Sequence, residues 1–268
     1  MASIVAEANI LSRIVHPNIC VVYDVGKLDG LTYISMQNIK GHSLERFCKN
    51  PPQISIERAL KIMIEVLDAI IECHGRGIVH WDLKPSNIMI SNDKPVLVDF
   101  GLARHLGSTG QLVSGSPKYM APEMLLSDAR NISPTMCDVY GVGVILYLML
   151  TGHLPYSAGA SAERDSARRP SDFRKEIDEE LNQVVLDSIA VSPFDRTPTA
   201  NRFRLALKNC YDRLYVSKLN SGERQLGVSS AGGVKQPNGS WPTFAVTILV
   251  IMLIAVCVNL ALTIFLIL

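Results

Sequence analysis

Between Ile78 and Gly101 the sequence reads IVHWDLKPSNIMISNDKPVLVDFG, and four of its polar side chains could act together. Asp82 and Asp99 are carboxylates on either side of a short apolar hairpin. Lys84 and Asn87 lie between them, with Asn87 five positions after Asp82. Asp99 sits in a Val-Asp-Phe-Gly turn directly after an apolar strand, Pro95 to Val98. A carboxylate and an amide oxygen can hold Mg²⁺ on a polyphosphate, and a second carboxylate can accept the proton of an attacking hydroxyl.

Several elements must position these groups. Ile4, Val5, Ala8, Leu11, Ile14 and Val15 recur at helical spacing over residues 3–15, and His16-Pro17-Asn18 ends that helix. Two apolar runs, Ile19–Val25 and Leu31–Ile39, are joined by Gly26-Lys27-Leu28-Asp29-Gly30 and predict a hairpin. Residues 54–75 are apolar at helical spacing. Asp138 opens a second apolar helix and has two readings that can both hold, an N-cap and a bond to the backbone of the Asp82 loop. Met89, on a short strand, also has two: packing beneath a flat ligand ring, or simple core packing. Residues 155–177 are polar and basic. The domain is expected to close near Leu214, and the Ser-, Gly- and Asn-rich stretch that follows reads as a flexible linker.

Formal net charge is +1, which gives no bulk basic surface for nucleic acid. The six cysteines are scattered with no Cys-x-x-Cys pair, which argues against a zinc site or a disulfide framework and fits a reducing compartment. From Phe244 to Leu268 there is no charged residue. At about 1.5 Å per residue this stretch is long enough for a hydrocarbon core of about 30 Å. Lys208, Arg213, Lys218, Arg224 and Lys235 precede it, so the positive-inside rule places the preceding domain in the cytosol.

His80-Trp81-Asp82-Leu83-Lys84-Pro85-Ser86-Asn87, then Asp99-Phe100-Gly101, then Ala121-Pro122-Glu123 resemble the signatures of the eukaryotic-type serine/threonine protein kinases. The resemblance implies an α+β kinase-like fold: a mainly helical large lobe and, in this chain, an incomplete small lobe of αC, β4 and β5, followed by one C-terminal transmembrane helix. The expected divisions are 1–40 (small lobe), 41–215 (large lobe), 216–243 (linker) and 244–268 (membrane helix). It implies ATP and Mg²⁺ as cofactors and protein substrates bearing serine or threonine hydroxyls. Asp82 would be the base or orienting carboxylate, Lys84 would neutralise the transferred phosphoryl group, and Asn87 and Asp99 would bind the metal. Met36 would back the nucleotide pocket, with Gln37, Asn38 and Ile39 as the hinge that reads adenine and Met89 beneath the ring. Glu7 falls where the αC glutamate sits. His80, Phe100 and Leu11 would stack between the lobes, Ser116 would replace the threonine that bonds the Asp/Lys pair, and Arg196 would pair with Glu123.

Two departures bear on activity. Trp81 stands where the family has an arginine that receives an activation-loop phosphate, and indole cannot pair with a dianion. No lysine precedes Lys27, and no glycine-rich loop precedes Glu7. The expectation is a membrane-anchored kinase whose activity in these 268 residues is doubtful; the alternative is a pseudokinase serving as a membrane-anchored binding module. A two-stranded small-lobe sheet is expected to leave apolar surface uncovered.

Overall fold

The computed structural model describes residues 12, 14–29, 31–48, 54–99, 104–105, 116–125, 133–156 and 167–227. Glu7, Leu11, Phe100 and residues 244–268 lie outside them. The chain divides into two compact units, Met1–Leu219 and Asn220–Leu268.

Two helices form the interior of the first unit. In α1 (Ile56–Gly75) the buried residues Ile56, Ala59, Leu60, Met63, Val66, Leu67, Ile70 and Cys73 recur every three or four positions, which gives one continuous apolar face. Its N-cap is Ser55, whose Oγ accepts the Arg58 N–H at 3.2 Å. In α2 (Pro134–Thr151) every residue from Cys137 to Thr151 is buried, so no polar face exists. Among the described residues it is the one helix long and apolar enough to cross a membrane, yet it is 83% buried and serves as core. Gly152 ends it with φ 77°, the left-handed conformation glycine adopts without steric cost, and donates to Leu148 O. A further turn, α3 (Pro170–Phe173), leads to α4 (Glu179–Ser188). α2 and α4 approach closely at Gly143, where a Cβ would stand 2.3 Å from Ser188 Oγ.

The strands are short. β1 (Val22–Leu28) and β2 (Leu31–Met36) pair antiparallel with Leu28 opposite Leu31. The connection is therefore the two residues Asp29-Gly30 rather than the five expected, and Gly26, Lys27 and Leu28 continue the strand. Asp29 has φ 51°, as a tight Asp-Gly hairpin turn requires. β3 (His42–Ser43), β5 (Ile88–Ser91) and β6 (Lys94–Leu97) make a three-stranded sheet in the order β3-β5-β6. Asn92 and Asp93, both left-handed, turn β5 into β6. β4 (Ile78–Val79) pairs with β7 (Arg104–His105).

The segment before β1 ties the hairpin to the large lobe through backbone, and Val22 of β1 joins the core. Cys20 N–H donates to Leu97 O, Leu97 N–H donates to Asn18 O, and buried Asn18 Nδ2 donates to Pro95 O at 2.8 Å. Ile14 is buried, but Val15 is 86% exposed and does not extend the apolar face expected of it.

The last helix, α5 (Ala200–Gly227), carries buried Ala200, Phe203, Leu207 and Cys210 at spacings of three and four, with Leu214 partly buried after them. Its apolar stripe stops there, where domain closure was expected. The helix nevertheless continues into the stretch read as a linker from residue 216. The end of the apolar stripe does not mark the end of the helix, and no proline occurs between Pro198 and Pro237 to break it.

Candidate active site

The loop between β4 and β5 carries Asp82, Lys84 and Asn87, and its shape comes from α2. Asp138 is 1% exposed and lies inside α2, whose N-cap is Ser133, so the N-cap reading of Asp138 is wrong. Proline at the first helical position starts the helix earlier than the apolar run suggested. Asp138 turns to the loop instead. Its Oδ2 accepts the His80 N–H and its Oδ1 the Trp81 N–H, both at 2.9 Å. His74, in the last turn of α1, places Nε2 at 2.8 Å from Oδ2.

Those contacts clamp a tight turn. Asp82 N–H donates to His80 O at 2.9 Å across Trp81, whose φ is 67°. An i→i+2 bond around a residue with positive φ describes a γ-turn of the rare, strained kind. For a bulky residue such a φ is a true outlier, held only where its surroundings over-determine it. The Trp81 indole, half-buried, packs against the core and its Nε1 has no hydrogen-bond partner among the described residues. His80 is fully buried, and burial holds its imidazole below the ordinary histidine range.

Beyond the turn, side chains converge on Asp82, itself 9% exposed. Lys84 Nζ lies 2.5 Å from its Oδ2. Asn87 Nδ2 donates to the Asp82 carbonyl at 2.9 Å and to Oδ2 at 3.2 Å. Ser116 N–H donates to Oδ1 at 3.2 Å, so Ser116 reaches the carboxylate through its backbone where a hydroxyl contact was expected. Because both partners of Nδ2 are acceptors, the Asn87 amide is fixed and its Oδ1 is the atom left for a cation. Asp99, exposed and left-handed at φ 60°, follows β6. Val98 N–H donates to Asn87 O, which ties the two oxygen-bearing residues together through backbone. An amide and a carboxylate oxygen are donors of the kind Mg²⁺ takes, so the residues present fit that ion.

The predicted adenine-facing residues sit apart from the core. Ile88 and Ile90 on β5 join the core cluster, whereas Met89 between them is half-buried and faces the other way, paired with Val96. Simple core packing of Met89 is therefore not what the fold shows. Met36 is 44% exposed and Gln37 and Asn38 are exposed, with Ile39 half-buried. Gln37 N–H is occupied by Val21 O, and the Cys20 thiol lies 3.4 Å from the Gln37 carbonyl.

A second clamp underlies the Ala-Pro-Glu segment. Arg196, 3% exposed, makes a bidentate pair with Glu123 at 2.7 and 3.0 Å, and its guanidinium lies over the Tyr140 ring. The predicted pairing of Arg196 and Glu123 is thus formed.

Sequence reasoning missed His74 and the γ-turn. A lone histidine in the last turn of a helix reads as a dipole partner; only the fold brings it to Asp138.

Residues 1–205 match the protein kinase domain family model. A probable serine/threonine-protein kinase of Clostridium acetobutylicum is 33% identical over 245 residues, covering 87% of this chain and 36% of the relative. The serine/threonine-protein kinase PrkC of Bacillus subtilis is 32% identical, over 77% of this chain and 33% of its own. The serine/threonine-protein kinase PknB of Mycolicibacterium smegmatis is 34% identical, over 75% and 34%. The chain thus spans about a third of the length of the curated relatives it matches. With its two clamps, its Asp82 cluster and this match over three quarters of its length, the chain belongs to the protein kinase family, in the eukaryotic-type serine/threonine group.

Proposed function

We propose that the chain transfers the γ-phosphoryl group of ATP to serine or threonine hydroxyls of protein substrates. The observation that carries this reading is the convergence of Lys84, Asn87 and the Ser116 N–H on the single carboxylate of Asp82. Phosphoryl transfer needs little covalent help from protein and much positioning, which a pre-formed hydrogen-bonded carboxylate supplies. Asp82 accepts the hydrogen bond of the substrate hydroxyl and aims its oxygen. Lys84 lies beside that carboxylate and stabilises negative charge on the group in transit. Asn87 and Asp99 would hold Mg²⁺, which when bound neutralises phosphate charge. For adenine, the Gln37 carbonyl keeps one lone pair beyond its weak thiol contact, and Asn38 and Ile39 offer backbone groups, with Met36 behind and Met89 beneath. Glu7 takes the αC glutamate role. Residues 244–268 form a single membrane span that leaves the kinase domain cytoplasmic, with the lipid bilayer as a second partner.

A second reading, a membrane-anchored binding module, is favoured by Trp81 and by the exposed apolar side chains of β1 and β2. One experiment separates the two. The protein should phosphorylate serine and threonine peptides, and Asp82→Asn should cut the rate by on the order of 10²–10³, the cost of losing one positioned electrostatic group. A folded protein that binds nucleotide yet transfers nothing would leave the binding-module reading standing.

A further inference from the structure

We propose that Gly41 is a positioning residue for the nucleotide base: its missing side chain sets the height of residues 37–41 above β5, and so the width of the slot between that strap and Met89. This deepens the function proposed above and rests on it. Residues 37–40 form neither helix nor strand, and the stretch is tied down at both ends. At the front, Gln37 N–H donates to Val21 O at 2.8 Å and the Cys20 thiol lies 3.4 Å from the Gln37 carbonyl. At the rear, His42 and Ser43 pair with Ile90 and Met89 of β5, and Leu44 is fully buried in the core.

Gly41 is where the strap enters that pairing. A Cβ there would stand 2.1 Å from Ile90 O and 2.9 Å from Ile90 C. Both are backbone atoms of a strand held on its other edge by β6, so neither can swing aside as a side-chain tip would. The φ of Gly41 is not positive, so the position does not call for glycine's conformational freedom. It calls for space. With any side chain the strap must lift by roughly 1 Å to reach ordinary non-bonded contact. That lift falls on the backbone groups of Gln37, Asn38 and Ile39, while Met89 stays in β5. Asn87 and Asp99 flank the other end of the β5–β6 hairpin, away from Ile90 and Ser91, so the metal site is left in place.

Two ligands separate base from phosphates: Mg·ATP, and Mg·tripolyphosphate, which has the phosphates alone. Titration calorimetry of the full chain compares them in the parent and in Gly41→Ala. The variant should bind Mg·ATP about tenfold more weakly, the worth of one misplaced hydrogen bond, and Mg·tripolyphosphate within about twofold of the parent. Parent-like binding of both ligands, or equal weakening of both, overturns the proposal. If the parent binds neither ligand, the function proposed above fails, and hydrogen exchange without ligand decides on Gly41. Faster exchange of the Gln37 and β3 amides in Gly41→Ala, with α1 amides unchanged, shows that Gly41 sets the strap; unchanged exchange shows that it does not. If Gly41→Ala does not fold, one glycine inserted between Lys40 and Gly41 slackens the strap without adding a Cβ. That variant should lose affinity for Mg·ATP and keep it for Mg·tripolyphosphate, and parent-like affinity for Mg·ATP overturns the proposal.

Discussion

In α2 every residue from Cys137 to Thr151 is buried, whereas in β2 Leu31, Tyr33, Ile34 and Met36 are 76, 42, 39 and 44% exposed. Both stretches are apolar in sequence, so hydrophobicity alone does not distinguish them. What differs is the means of attachment. The catalytic loop hangs on α2 through the buried carboxylate of Asp138 on the γ-turn, and the Ala-Pro-Glu segment is held by the buried guanidinium of Arg196 on Glu123. The hairpin hangs on the large lobe through a run of backbone bonds, the Asn18 amide and a few apolar side chains, Ile19 and Val22 among them. The groups for chemistry are therefore set rigidly, and the hairpin that leads to the proposed adenine hinge is tied at one hem.

The comparison breaks first at Arg196. Arg196→Met should remove about 3–5 kcal/mol of stability, since it strands the Glu123 carboxylate opposite an apolar chain. Urea unfolding followed by circular dichroism measures this, and a loss under about 1 kcal/mol would mean the clamp carries little. Asn18→Ala is the matching cut at the other region. Losing the Pro95 bond should cost about 1–3 kcal/mol. Hydrogen exchange should then quicken in β1 and β2 while α2 amides stay protected, because opening is sub-global. Equal acceleration in α2 would show that the two regions unfold as one.

The smallest effect concerns pH. Burial holds the His80 imidazole below its ordinary range, so as pH falls below about 6.5 the unfolded chain takes a proton that the native chain refuses. Stability from this group is thus unchanged above that pH and falls below it, by at most about 1.4 kcal/mol per pH unit. His80→Phe should lose less stability than the parent between pH 7 and pH 5; equal losses would mean that His80 takes up its proton equally in both states.

Much of this was legible in the sequence because it is local. The period of α1, the short hairpin between Asp82 and Asp99 and the order of those two motifs are written in neighbouring residues. What was not legible depends on distant partners. The choice between the two readings of Asp138 waits until Ser133-Pro134 is seen to start the helix, and that between the two of Met89 until the β5 pleat turns it away from Ile88 and Ile90. The γ-turn at Trp81 carries no local signal, since tryptophan disfavours it and only Asp138, 57 residues away, makes it hold. The hairpin was assigned too long a turn because Gly26-Lys27-Leu28 looks like a loop, although Gly26 faces the Tyr33 ring, which a Cβ would strike at 2.6 Å.

The central claim is that the rigid loop and the turn after β6 together hold a metal–nucleotide. Thermal unfolding of the full chain with and without Mg·ATP tests it most directly. At a hundredfold excess over the dissociation constant the parent should gain about 2.7 kcal/mol, and Asp99→Ala, compared with its own unliganded melting temperature, should lose that gain. An equal gain in Asp99→Ala, or none in the parent, would contradict the account.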